Sequence, residues 1–162
     1  MCKNRVPEMT REDALIRMAD LCARSEQCAF DIERKLRLKN ISESDIDLII
    51  EELERRKFLD STRFARSYAN DKLRFSGWGR LKIRAGLMQR HIPSPAISAA
   101  LEALDEDEYE AALLRVATSK ARSLDLSSFA DRTKLLRHLV NRGFTPPECS
   151  DVLKRLRENE DS

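Results

Sequence analysis

Apolar residues recur along this chain at helical intervals, and the same pattern of them is written three times. Laid against itself at an offset of about 50 residues, a period at which repeats signal arrays, the sequence aligns three segments. They are Ile32 to Leu53 (IERKLRLKNISESDIDLIIEEL), Ile83 to Leu104 (IRAGLMQRHIPSPAISAALEAL) and Leu135 to Leu156 (LLRHLVNRGFTPPECSDVLKRL). Each opens with two apolar residues four apart, Ile32 and Leu36, Ile83 and Leu87, Leu135 and Leu139, which is one face of a helix. Four positions later stands Asn40, His91 or Gly143. These residue types tolerate positive φ, the conformation a helix stop asks for. Ile41, Ile92 or Phe144 follows, and then a second apolar series: Ile46, Ile50 and Leu53; Ile97, Leu101 and Leu104; Cys149, Leu153 and Leu156. Ser42 with Asp45 and Thr145 with Glu148 have capping-box spacing, while Pro95 and Pro146 suit a first helical turn. Each segment therefore reads as two helices joined by a tight corner with an apolar pin.

A further helix precedes each pair: Thr10 to about Ala23, Ser61 to about Phe75, and Asp105 to about Ala121. Thr10 with Asp13 and Ser128 with Asp131 repeat the capping spacing. The acids from Asp105 to Glu110 fit a first turn, where carboxylates favour the positive end of the helix dipole. The expectation is an all-α protein, an elongated array of three tandem three-helix repeats with helix-turn-helix-like corners. The repeats fall at 1–58, 59–104 and 105–162, each too small to bury much alone.

Composition agrees with long helices whose outer faces are solvated: 36% of residues are charged, with only four glycines and five prolines among 162. Thirty basic residues against 28 acids leave a formal charge of +2, so attraction to an anionic partner must come from local clustering. Cys2, Cys22, Cys28 and Cys149 have no CxxC spacing and His91 and His138 stand alone, which suggests neither metal nor disulfide framework. The cysteines read as reduced core residues. No cofactor is expected. The start, MCKNRVPEMTRED, has no apolar run, and no stretch approaches the length of a membrane span, so a soluble, cytoplasmic protein is expected.

Three of the four glycines fall in FSGWGRLKIRAGLMQRHI, Phe75 to Ile92. Neither a Walker loop nor a dinucleotide fingerprint is framed there. Gly77 and Gly79 read as the end of one helix and the start of the next, and Gly86, mid-helix, as a site of close helix approach. The carboxylates sit in caps or ion-pair registers such as Glu33 with Arg37, with no catalytic constellation to name. Between Lys72 and Leu101 there are six cations, Lys72, Arg74, Arg80, Lys82, Arg84 and Arg90, and no acid. Trp78 lies among them and can stack on a base, anchor a protein partner or plug its own core. Arg34, Lys35, Arg37 and Lys39 form a second group on the matching helix of the first repeat. A solvated helical face is the plain alternative for both groups.

Leu59-Asp60-Ser61-Thr62-Arg63-Phe64-Ala65, followed by Tyr68, Gly77, Ile83 and Leu87, resembles RecX, the bacterial regulator of the RecA recombinase, whose central unit carries an LDDxRFA run. Ile32 to Leu36 and Arg142-Gly143-Phe144 resemble the flanking units, so the likeness extends over most of the chain. Ser61 stands for the usual second Asp, Gly86 for a common Glu, Asn40 and His91 for corner glycines, and Cys28 for Ser. The resemblance implies a modular, all-helical protein, not an enzyme, that lies in the groove of the RecA filament on DNA. There it suppresses ATPase and strand exchange and limits filament growth. Single- and double-stranded DNA would be met through the filament or weakly alone, by a monomer. On this reading Asp60 caps the helix carrying Phe64, Ala65 and Tyr68, a structural motif. Contacts would fall on Lys72, Arg74, Trp78, Arg80, Lys82, Arg84 and Arg90, with Lys35, Arg37 and Lys39 as a second area. The rival is a helix-turn-helix DNA-binding protein acting on duplex DNA.

Overall fold

The computed structural model describes residues 8–162, and among them are nine α-helices and no strand. In chain order they are α1 (Arg11–Arg24), α2 (Ala29–Leu38), α3 (Glu43–Arg55), α4 (Ser61–Asp71), α5 (Arg80–Gln89), α6 (Ser94–Glu102), α7 (Glu106–Ala121), α8 (Phe129–Asn141) and α9 (Pro146–Glu160). The all-α expectation holds.

Local chemistry sets the helix ends. Thr10, Ser42, Ser128 and Thr145 each accept the backbone N–H three residues on, and Thr145 with Glu148 completes a reciprocal capping box. The three corners share one backbone device. Asn40, His91 and Gly143 have φ of 59°, 56° and 94°. The residue after each donates to the carbonyl three residues before the helix C-cap, Ile41 to Leu36, Ile92 to Leu87 and Phe144 to Leu139, all at 3.2 Å. This is the Schellman closure, in which a left-handed residue lets the chain turn back onto orphan carbonyls. A fourth copy, not anticipated from the sequence, ends α3: Lys57 has φ 64°, and Phe58 donates to the Leu53 carbonyl at 2.9 Å.

Contacts divide the chain into two compact units, Met1–Phe64 and Ala65–Ser162. The first is built on α1 to α3, around Ala14, Met18, Ile32, Leu36, Ile46 and Leu53, each at most 4% exposed. The second holds the helices from α5 to α9 around Leu73, Ile83, Leu87, Leu135, Leu139 and Phe144, each at most 1% exposed.

The expected single helix from Ser61 to Phe75 is interrupted: α4 stops at Asp71 and a π turn runs Lys72–Ser76. The wider turn shifts the register by one residue. Continued at 3.6 residues per turn, the face of Ala65 and Ala69 would bury position 72, a lysine; instead Leu73 is buried at 1% and Phe75 is left 83% exposed. Gly77, with φ 63°, closes the turn, and a Cβ there would meet Val116 Cγ2 at 2.6 Å.

Within the second unit, backbone meets backbone at the head of α5. Gly79, its N-cap, brings no side chain to the first-turn amides, which need acceptors from elsewhere. Gly79 N–H donates to the Arg142 carbonyl at 2.8 Å and Leu81 N–H to that of Gly143 at 3.0 Å, while Arg80 N–H donates to Tyr109 Oη at 3.2 Å. A Cβ on Gly79 would lie 2.5 Å from the Gly143 carbonyl, and one on Gly143 would lie 2.4 Å from Lys82 Cβ. Both positions need glycine for this approach.

Cys28 and Cys149 are buried and Cys22 is half-buried; burial pushes the Cys149 thiol up to about 11. Cys2 lies outside the described residues. Among the described residues no group of side chains could hold a metal ion, and no helix is long and apolar enough to cross a membrane.

Candidate functional site

The cations between Lys72 and Arg90 divide into two kinds. Arg74 and Arg80 are tied to acids of the same unit. Arg74 forks onto Glu108 with three contacts of 3.0 to 3.1 Å. Arg80 reaches Glu106 at 2.6 Å and Glu148 at 3.9 Å, with its guanidinium 3.9 Å from the Tyr109 ring centroid. Tyr109 donates its hydroxyl to Glu148 at 3.2 Å, and burial first, together with the neighbouring Glu148, pushes its phenol up to about 12. Arg80, Tyr109 and Glu148 thus bind the head of α5 to α7 and α9. Their work is to hold the unit together.

The remaining cations gather on aromatic faces. Lys82, Gly86 and Arg90 stand at successive i+4 positions of α5, and the Tyr68 phenol from α4 occupies the space a side chain at 86 would fill. The ammonium of Lys72 lies 4.6 Å from the Trp78 centroid and 5.4 Å from that of Tyr68, and that of Lys82 lies 4.6 Å from Trp78. The Arg90 guanidinium lies 5.1 Å from the Tyr68 centroid and donates to the Gly86 carbonyl at 3.2 Å. Tyr68 and Trp78 meet edge to face at 6.5 Å. An aromatic quadrupole orients a cation without neutralising it. Lys72 and Lys82 are therefore held in place with their charge intact. Arg84 is exposed, and no acid pairs with it among the described residues.

In the first unit the second predicted group is likewise split. Arg37 pairs with Glu43 at 2.7 Å and Glu33 at 3.6 Å; the hydrogen bond to Glu43 raises its pKa further above the ordinary guanidinium value. Lys35 and Lys39 are exposed.

Asp60 accepts the Arg63 backbone N–H at 2.9 Å, and that bond lowers its carboxyl pKa. Arg63, a member of the Leu59 to Ala65 run with no role legible in the sequence, reaches Glu26 and donates to the carbonyls of Lys57 at 3.0 Å and Phe58 at 3.3 Å. It fastens the fourth left-handed corner. Phe64, Ala65 and Tyr68 are buried, at 6%, 0% and 9%. Tyr109, and the reach of Glu148 beyond its capping box to Tyr109 and Arg80, were not anticipated from the sequence. Their partner Arg80 lies 29 residues from the one and farther still from the other, beyond any local signal.

This geometry belongs to a segment with relatives. A family model described as the second three-helix domain of RecX matches residues 60–101, which span α4, the π turn, α5 and nearly all of α6. The regulatory protein RecX of Prosthecochloris aestuarii is 33% identical over 129 residues, covering 80% of this chain and 83% of that one. That of Clostridium tetani is 32% identical over 126 residues, covering 75% of this chain but 57% of its own length. The crystal structure of RecX from Lactobacillus salivarius superposes with a TM-score of 0.73 over 91% of this chain and 96% of that one, at 19% identity, a likeness of fold. With a relative this similar along most of its length, the chain belongs to the RecX family of regulatory proteins.

Proposed function

We propose that this chain is a regulator of the RecA recombinase that works by occupancy and not by catalysis. It lodges in the groove of the RecA filament on DNA and suppresses ATPase and strand exchange, by blocking filament growth or by promoting disassembly. The observation that carries this reading is the cation–aromatic face of the second unit, where Lys72 and Lys82 keep their charge on Trp78 and Tyr68 and Arg90 lies against the Tyr68 ring. It lies inside the segment that matches the family's second three-helix domain. Such a face suits an acidic protein surface or a phosphate row: the rings fix the cations, and less side-chain entropy is lost on contact. Each triplet, 1–58, 59–104 and 105–162, is read as one module of a monomer acting in the cytoplasm, with Lys35 and Lys39 as a second contact area.

The test is RecA-dependent ATP hydrolysis on single-stranded DNA with increasing amounts of the protein; hydrolysis should fall as the protein is added. Binding to bare duplex, bare single strand and RecA-coated strand is then compared at one salt concentration. Tight, sequence-selective binding to bare duplex would replace this reading with a helix-turn-helix one.

A further inference from the structure

A groove of about 430 Å³ opens between the π turn, α7 and α8, and none of Tyr68, Lys72, Trp78, Lys82 or Arg90 lines it. Arg115, Ser119 and Ser123 line it at i+4 intervals, with Lys120 beside them, and α8 adds His138 and Arg142. No Asp or Glu is among the lining residues. Arg74 touches the groove too, but its charge is answered by Glu108.

The other two guanidiniums are held differently. Arg142 donates to the Ser76 carbonyl, and Arg115 donates to the Arg74 carbonyl at 3.3 Å. A carbonyl occupies one N–H of a five-donor fork and leaves the charge unanswered. Lys120 adds a third cation on the same wall. The charges of Arg142 and Lys120 register at His138, whose pKa is lowered by burial first and then by these two cations.

Phe75 stands at the groove, 83% exposed, because the π turn swings it out of the register that would have buried it. A bare aromatic ring beside fixed cations and hydroxyls offers one face for a base and several donors for phosphate oxygens. Bases in a duplex already stack on one another, so an aromatic platform favours a strand whose bases are open.

We propose that this groove binds the phosphodiester backbone of a single-stranded nucleic acid, with Arg115, Lys120 and Arg142 on the phosphates and Phe75 stacked on a base. The site is contributed by residues from Phe75 to Arg142 and needs no recombinase.

The test is fluorescence anisotropy of a labelled oligo-dT titrated with the full chain at several salt concentrations, without recombinase. Arg115→Gln with Lys120→Gln removes two phosphate partners. It should weaken binding and flatten the slope of log K against log salt by about 1.4, at about 0.7 per phosphate contact for single strands. Phe75→Ala should lose about tenfold in affinity with the slope unchanged, the mark of stacking. The His138 ring resonances should move on adding oligo-dT, and less on adding inorganic phosphate at equal phosphate concentration. Should the double variant lose helicity by circular dichroism, Lys120→Gln alone decides, since its ammonium has no ion pair to lose. Unchanged affinity and slope in the charge variants, or equally tight binding of a duplex, overturns the proposal. So does a His138 shift that inorganic phosphate matches. Because ATPase inhibition is measured separately, a groove that binds strand while the recombinase is untouched would sink the proposed function and leave this site standing.

Discussion

The phenol of Tyr68 occupies the place of the side chain that residue 86 lacks: a Cβ on Gly86 would fall 2.1 Å from its hydroxyl oxygen and 3.0 Å from Cζ. Helix preference alone favours Ala over Gly by about 1 kcal/mol. The overlap should outweigh it, because forcing a methyl into a filled space costs about 1–3 kcal/mol. Gly86→Ala should therefore lower the urea midpoint. Adding Tyr68→Phe, which deletes the nearest atom, should recover part of the loss in a double-mutant cycle.

At the start of α4, Asp60→Ala should cost about 1 kcal/mol by removing the acceptor of the Arg63 amide. The carboxyl pKa is lowered in the fold by that bond. Its stabilisation is accordingly full above the unfolded value of about 3.9 and fades as pH falls through the folded one. Asp60→Asn keeps an acceptor and should lose this acid dependence. Urea unfolding of the three proteins at neutral pH and near pH 3 checks both statements.

Lys57 holds φ 64° without being glycine. A left-handed residue with a Cβ costs about 1–2 kcal/mol, of which glycine's greater freedom in the unfolded chain returns part. Lys57→Gly should raise the thermal midpoint. Its carbonyl still accepts from Arg63, so the corner itself is preserved.

Arg80 and Arg84, four residues apart on α5, should separate stability from function. Arg80→Ala uncovers the Tyr109 ring and unpairs Glu106, and should destabilise the fold by about 1–2 kcal/mol. Lys82→Ala with Arg84→Ala should leave the unfolding midpoint nearly unchanged and weaken inhibition of RecA-dependent ATP hydrolysis severalfold. Inhibition equal to wild type in the pair would remove α5 from the contact surface.

His138 should titrate below its ordinary 6.5 in an NMR pH series. The unfolded chain then binds a proton that the folded chain refuses over the window between the two values. Stability should rise with pH across that window and level off above 6.5. Lys120→Gln removes one of the repelling charges and should bring the value back up.

Legibility in the sequence followed distance along the chain. Thr10, Ser42, Ser128 and Thr145 act on the amide three residues on, and Asn40, His91 and Gly143 close the turn in which they stand, so residue type alone announced them. Arg74 and Arg80 looked like members of a basic surface because their acids lie 34 and 26 residues away, on a helix whose approach no local pattern encodes. The π turn escaped for a different reason. Lys72, Leu73 and Phe75 fit a continuous helix by composition, and only burial of Leu73 in place of residue 72 shows the added width. The groove of Arg115 and Arg142 needed all three elements assembled before it existed.

The meeting of Gly79 with Gly143 limits how freely a chain patterned in threes could gain or lose a part. Excising everything after Leu104 would strip consecutive amides at the head of α5 of the acceptors that Tyr109, Arg142 and Gly143 supply. Splicing a spare triplet between the two glycines would pull those acceptors out of reach. Periodic in its lettering, this half of the protein is indivisible in its folding, and its last fifty-odd residues serve as the lid of the helix that precedes them.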